Sequence, residues 1–212
     1  MVSVNDSKII EEFEEEVAKY AGAKYGVAVS SQTNAIFLCL ELLKMKGKLY
    51  NGDVILIPKQ TYMSVPMSII NAGMKVKFVD IKWSGCYPLE CTRTIEGIVW
   101  DSAVRFTKDM YVKDSLYCIS FQYRKALPIG RGGMILTDNR EWYTLLKKLR
   151  FNGRSEGLSI KDDKNIIKGW NMYMTPEQAA RGLTLMVNLS EHNKDISCWS
   201  DYPDISDKEI FN

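Results

Sequence analysis

The stretch from Cys118 to Asn139, CISFQYRKALPIGRGGMILTDN, decides how the chain is read. A short apolar strand (Cys118, Ile119, Phe121) runs into Gln122-Tyr123-Arg124-Lys125. A glycine-rich turn, Gly130-Arg131-Gly132-Gly133, then leads to a second apolar strand, Met134-Ile135-Leu136. The glycines need only supply a turn with positive φ. The lysine at the mouth of that turn is either a solvated hairpin residue or an amine held for covalent chemistry. Its surroundings in the chain choose between the two.

Upstream, apolar residues Ile9, Ile10, Phe13, Val17 and Tyr20 recur with helical spacing and Gly22 closes that helix. A strand follows at Tyr25 to Val29, then Ser30-Ser31-Gln32-Thr33-Asn34, then an apolar run from Ala35 to Leu43 that reads as a buried helix. Further strands are expected at Val54–Ile57, Val76–Val79 and Gly97–Trp100, with a helix at Ser64–Asn71. Strand and helix alternating at short intervals predict a mostly parallel α/β sheet flanked by helices. Continuous apolar strands fit burial on both faces. Chemistry in such sheets gathers at the carboxyl ends of strands. Four polar groups fall there: Ser30 to Asn34, Gln60 to Tyr62, Asp101, and Gln122 to Lys125. Downstream, helices are expected at Glu141–Arg150 and Thr175–Leu189, the second opened by Thr175, Pro176 and Gln178 as N-cap, first-turn proline and capping-box partner. Residues 1–192 read as one domain. The segment 193–212 has no clear period and is expected to be loosely held.

The 212 residues suffice for one sizeable core. With 46% apolar and 25% charged residues, the composition is that of a soluble globular protein. A net charge of +2 carries no field that argues for nucleic acid or an anionic membrane. No apolar run reaches membrane-spanning length, and the acidic start MVSVNDSKIIEEFEEE is unlike a signal peptide. Five scattered cysteines without CxxC spacing suit reduced thiols in a cytoplasm. Cys86 and Cys91 are spaced to pair or to bind a metal, but His192, the single histidine, lies far from them in sequence, and no metal site is expected.

The strand-end groups match the needs of pyridoxal 5′-phosphate (PLP): a lysine amine, a carboxylate for the pyridinium nitrogen, a phosphate cradle at a helix start and an aromatic over the ring. The chain also resembles the DegT/DnrJ/EryC1/StrS family of PLP-dependent sugar aminotransferases, enzymes of fold type I. The resemblance runs through FEEEVAKYAGAKYGVAVSSQTNAI (13–36), GDVILIPKQTYMSVPMSIINAGMKVKFVDIK (52–82), IVWDSAV (98–104), SFQYRKALPIGRGGMILTDN (120–139), LRFNG (149–153) and GWNMYMTPEQAARGLTLMVNLSEH (169–192). Each match is weak alone, but six in order are specific.

The resemblance implies a type I large-domain fold and assigns roles by position. Lys125 falls on the Schiff-base lysine. Asp101 falls on the acid that pairs with the pyridinium nitrogen. Thr33, with the backbone at Gln32 and Asn34, falls where the family binds phosphate, and Ser120 on a second phosphate ligand. Tyr62 falls on the aromatic that stacks on the ring. Asn171 falls on an asparagine that reaches the phosphate of the other subunit, which implies a homodimer with shared active sites. The implied reaction is transamination of a nucleotide-linked keto-sugar, with glutamate as amino donor, feeding amino- or deoxy-sugar or surface polysaccharide synthesis.

The chain departs from the family pattern at several points. The interval between Asp80 and Asp101 is short, and a strand and helix usual there are expected to be missing. Val104 stands where the family has glutamine, and Tyr173 where it has arginine. A counterpart of the family's usual C-terminal lobe is expected to be absent. Three other readings therefore stay open. One is a non-catalytic homologue that binds PLP or a nucleotide sugar as a regulatory or dimerisation module. Another is an enzyme completed by a separate chain. The third, a related sugar dehydratase, is disfavoured by Lys125, since in those relatives histidine replaces the lysine.

Overall fold

The computed structural model describes residues 4–93 and 99–211. Helix α1 (Val4–Ala21) precedes β1 (Tyr25–Val29), α2 (Gln32–Met45), β2 (Val54–Pro58), α3 (Ser64–Asn71), β3 (Lys75–Val79) and β4 (Tyr87–Cys91). Then come β5 (Val99–Ser102), β6 (Leu116–Ser120), β7 (Gly133–Thr137), α4 (Arg140–Arg150) and α5 (Pro176–Met186). Gly97 and Ile98, the expected start of a strand, lie outside the described residues. The expected cap of α5 is formed: Thr175 Oγ1 accepts from Gln178 N at 3.4 Å, and Gln178 Oε1 accepts from Thr175 N at 3.0 Å.

The strands form one sheet in the order β1-β7-β6-β5-β4-β2-β3. It is mixed. Parallel pairs join β2 to β3 and β5 to β6, and the other neighbours are antiparallel. It follows that β1, β2, β3, β5 and β6 share one direction, while β4 and β7 oppose them. The expectation of a missing strand is corrected here, because β4 fills the gap between β2 and β5. A parallel connection needs a dozen or more residues. Only residues 80–86 and 92–98 flank β4, so it enters the sheet reversed. Its sequence, YPLEC, alternates as a strand should, with Tyr87, Leu89 and Cys91 turned inward.

Both faces of β1, β6 and β7 are covered, which explains why these strands are apolar over most of their length. Val27, Cys118 and Ile135 face a core shared with α2, α3 and α4. Their neighbours Ala28, Tyr117, Ile119, Met134 and Leu136 face the core beneath α1 and α5. A buried charge cluster ties α1, β1 and α4 together. Arg150 Nη1 donates to Glu14 Oε1 and to the Ala28 carbonyl. Its Nε and Nη2 donate to Glu156 Oε1 at 3.0 and 2.8 Å, and Lys147 bridges Glu14 and Glu156 at 3.0 and 2.8 Å.

The segment after residue 192, expected to be loosely held, carries little regular structure yet makes many specific contacts. Asp195 receives Nε and Nη2 of Arg105 at 2.8 and 2.7 Å. Trp199 N donates to the Trp83 carbonyl at 3.1 Å, Ile205 N to the Lys59 carbonyl at 3.0 Å, and the Ile205 side chain is buried. Backbone and side-chain anchors at irregular intervals hold it, which is why no periodicity announced them. Among the described residues no helix is long and apolar enough to cross a membrane.

Candidate active site

A cavity of about 890 Å³ opens where β5 and β6 end and α2 begins. The chain turns directly from β1 into α2, with Ser31 as N-cap; its Oγ accepts from Asn34 N at 3.2 Å. The other first-turn N–H groups have no partner within the helix, and the helix dipole favours an anion beside them. Gln32 and Thr33 line the cavity at this point. Gly133 allows the close fit beneath them: a Cβ there would lie 2.6 Å from Gln32 N. The glycine-rich turn thus brings β7 against the start of α2, a role beyond the mere turn expected from sequence.

Asp101 and Lys125 line the same cavity from consecutive parallel strands, Asp101 within β5 and Lys125 just beyond β6. Asp101 is buried, at 4% exposure. Its Oδ1 accepts from Gln32 Nε2 at 2.7 Å and from Ala103 N at 2.8 Å; Oδ2 accepts from the Tyr87 hydroxyl at 2.8 Å. Burial raises its pKa, and the Ala103 N–H, the Tyr87 hydroxyl, the Lys125 charge and the Gln32 amide oppose that rise. Lys125 is half-buried. Burial lowers its pKa, and the attraction of Asp101 works the other way. A lowered pKa leaves more of the amine neutral at a given pH, the state able to act as nucleophile or base.

Of the other residues singled out from sequence, Ser120 closes β6 opposite Gly133 and lines the cavity. Tyr62 stands at its mouth, 60% exposed. Asn34 turns away, its Nδ2 donating to Ser30 Oγ at 2.7 Å. Asn171 is exposed and outside the cavity, in a bridge to Phe151. Gln32 differs from expectation in a useful way: its side chain reaches Asp101, so it contributes more than backbone.

Sequence reasoning missed one wall altogether. Trp83 and Tyr87 come from β4 and the loop before it, and Ile196, Ser197, Asp201 and Tyr202 from the C-terminal segment. The rings of Trp83 and Tyr87 lie 5.0 Å apart, and those of Trp83 and Tyr202 5.5 Å apart. The strict alternation of Tyr87-Pro88-Leu89-Glu90-Cys91 was the signal that could have revealed β4. Val104, also lining the cavity, is buried, and its carbonyl accepts from Ile196 N at 2.9 Å.

One cavity thus joins a helix start suited to an anion, a buried hydrogen-bonded carboxylate and a half-buried amine with a lowered pKa. Residues 3–95 and 111–197 match the model of the DegT/DnrJ/EryC1/StrS aminotransferase family. The spore coat polysaccharide biosynthesis protein SpsC of Bacillus subtilis is 27% identical over 87% of this chain and 58% of its own length. A UDP-4-amino-4,6-dideoxy-N-acetyl-beta-L-altrosamine transaminase of Campylobacter jejuni is 24% identical over 88% and 58%. The chain therefore spans a little over half the length of these relatives. Among solved structures, S. venezuelae DesV in complex with a ketimine intermediate superposes with a TM-score of 0.69 at 22% identity, over 85% of this chain and 57% of that one. That likeness establishes the fold.

Proposed function

Because the chain belongs to the DegT/DnrJ/EryC1/StrS aminotransferase family, we propose that it binds PLP in this cavity and transfers an amino group from glutamate to a nucleotide-linked keto-sugar. The observation that carries the reading is the placement of Lys125 and Asp101 in one cavity, each within electrostatic reach of the other, beside the start of α2. The residues present fit the cofactor. The N–H groups at the start of α2, with Thr33 and Ser120, suit its phosphate. The buried carboxylate of Asp101 suits a protonated ring nitrogen, and Tyr62 at the mouth suits a ring face.

PLP, when bound, supplies an aldehyde for amine exchange and a ring that accepts electrons. The chain's own residues do the rest. Lys125 presents a neutral amine and, once free, takes and returns a proton at Nζ. Asp101 holds a negative charge where a ring cation needs it, and the donors around it fix its orientation. Asn171, exposed on the surface, is assigned to the site of a second copy in a homodimer.

Protein loaded with PLP and given L-glutamate in a single turnover is expected to release about one equivalent of 2-oxoglutarate per bound cofactor. Bound PLP with no 2-oxoglutarate would favour a second reading, a homologue that keeps the cofactor site without turnover. Val104 supports that alternative, since it places a buried apolar side chain where the resemblance has glutamine.

A further inference from the structure

The reversed strand β4 brings an unassigned residue to the site. In the β4–β5 register Tyr87 lies directly opposite Asp101. Residues opposed in an antiparallel pair project to the same face. The Tyr87 ring is buried against Trp83, and its hydroxyl lies 2.8 Å from Asp101 Oδ2. The buried Thr61 hydroxyl is bonded to the same phenolic oxygen. Proton counting fixes the direction of this chain. An ionised carboxylate only accepts, so Tyr87 donates its single hydroxyl proton to Asp101, and Thr61 must donate to Tyr87.

We propose that Tyr87 is a positioning residue: the donor chain Thr61 to Tyr87 to Asp101 holds the carboxylate anionic and aimed at the ring nitrogen of a bound cofactor. This rests on the proposed PLP function. Gln32 and the Ala103 amide fix Oδ1, so without Tyr87 the second oxygen would have no donor from β4. Aligned hydroxyl donors polarise each other, which strengthens the terminal bond. The other ionisable groups facing Asp101 are Lys125 beyond β6, Cys118 on β6 and Tyr202 from the C-terminal segment. A change at Tyr87 leaves all three in place.

The test is PLP affinity as a function of pH, read by quenching of tryptophan fluorescence in the full chain. Affinity of the unaltered protein is expected to fall on acidification as Asp101 takes up a proton. Tyr87→Phe keeps the ring and removes the donor. Its fall should begin about one pH unit higher, the size of one hydrogen bond to a charged group. Thr61→Val should shift it the same way by less. The cofactor's own ionisations are common to all three proteins and cancel in the comparison. A Tyr87→Phe profile that superimposes on the unaltered one, or that is lowered at every pH without displacement, would overturn the inference and leave Tyr87 a packing residue. No PLP binding by the unaltered protein would instead overturn the proposed function, and this inference with it.

Discussion

Asp101→Ala is expected to weaken PLP binding on the order of 10²- to 10³-fold at neutral pH. The carboxylate is buried and takes hydrogen bonds from Gln32, Ala103 and Tyr87. Truncating one partner of a buried, hydrogen-bonded charge pair costs about 2–5 kcal/mol, since the remaining charge is left unpaired. Three donors of the protein also lose their acceptor, each a further penalty. Asp101→Asn keeps the volume, removes the charge and turns the Oδ2 acceptor into an N–H donor, to which the Tyr87 and Thr61 hydroxyls can adapt by reversing, so it should fold and still bind poorly. Equilibrium dialysis against PLP measures both. Near-unaltered affinity in both variants would show that the cofactor does not pair with this acid.

The largest expected loss of stability is that of Arg150→Ala, about 3–5 kcal/mol, from leaving buried partners uncompensated. Arg150 is 1% exposed and Glu14 3%. The guanidinium satisfies Glu14, Glu156 and the Ala28 carbonyl together, so its removal strands an acid inside the protein. Lys147 remains as a partial partner, 3.0 Å from Glu14. Denaturant unfolding of the two proteins gives the difference directly; a change under about 1 kcal/mol would contradict the account. The same cluster sets a pH dependence. Burial pushes the Glu156 pKa up, but the Arg150 and Lys147 charges and their hydrogen bonds outweigh it, and the net direction is down. A carboxylate depressed in the folded state contributes stability above its unfolded pKa of about 4.3 and loses it as pH falls through the lower, folded value. In acid, then, the unaltered protein should lose stability that Glu156→Gln never had.

Much of the fold was legible because its physics is local. The burial of the inner strands was written in the apolar character of Val27–Val29, Val54–Ile57 and Cys118-Ile119. The cap of α5 was written in Thr175, Pro176 and Gln178. The direction of β4 was not legible in the same way. It follows from connections too short for a crossover, and from pairing with strands far off in sequence. The candidate site divides along the same line. Lys125, Asp101, Thr33 and Ser120 stand at the ends of recognisable strands or helices, and the structure gathers them in one cavity. Tyr87, Thr61 and the side chain of Gln32 matter through contacts spanning 14 to 69 residues of sequence, which no local pattern carries. The C-terminal wall was missed for the same reason: Tyr202 and Ile196 reach the cavity from a segment without period, pinned by Arg105 to Asp195.

If Lys125 is the amine that engages PLP, borohydride reduction will trap the two together. Protein incubated with PLP and freed of excess cofactor is reduced, digested and mapped by mass spectrometry. A pyridoxyl group is expected on the peptide bearing Lys125, absent after the same treatment of Lys125→Ala. A folded protein that carries no adduct, or carries it on another lysine with Lys125 unmodified, would contradict that assignment.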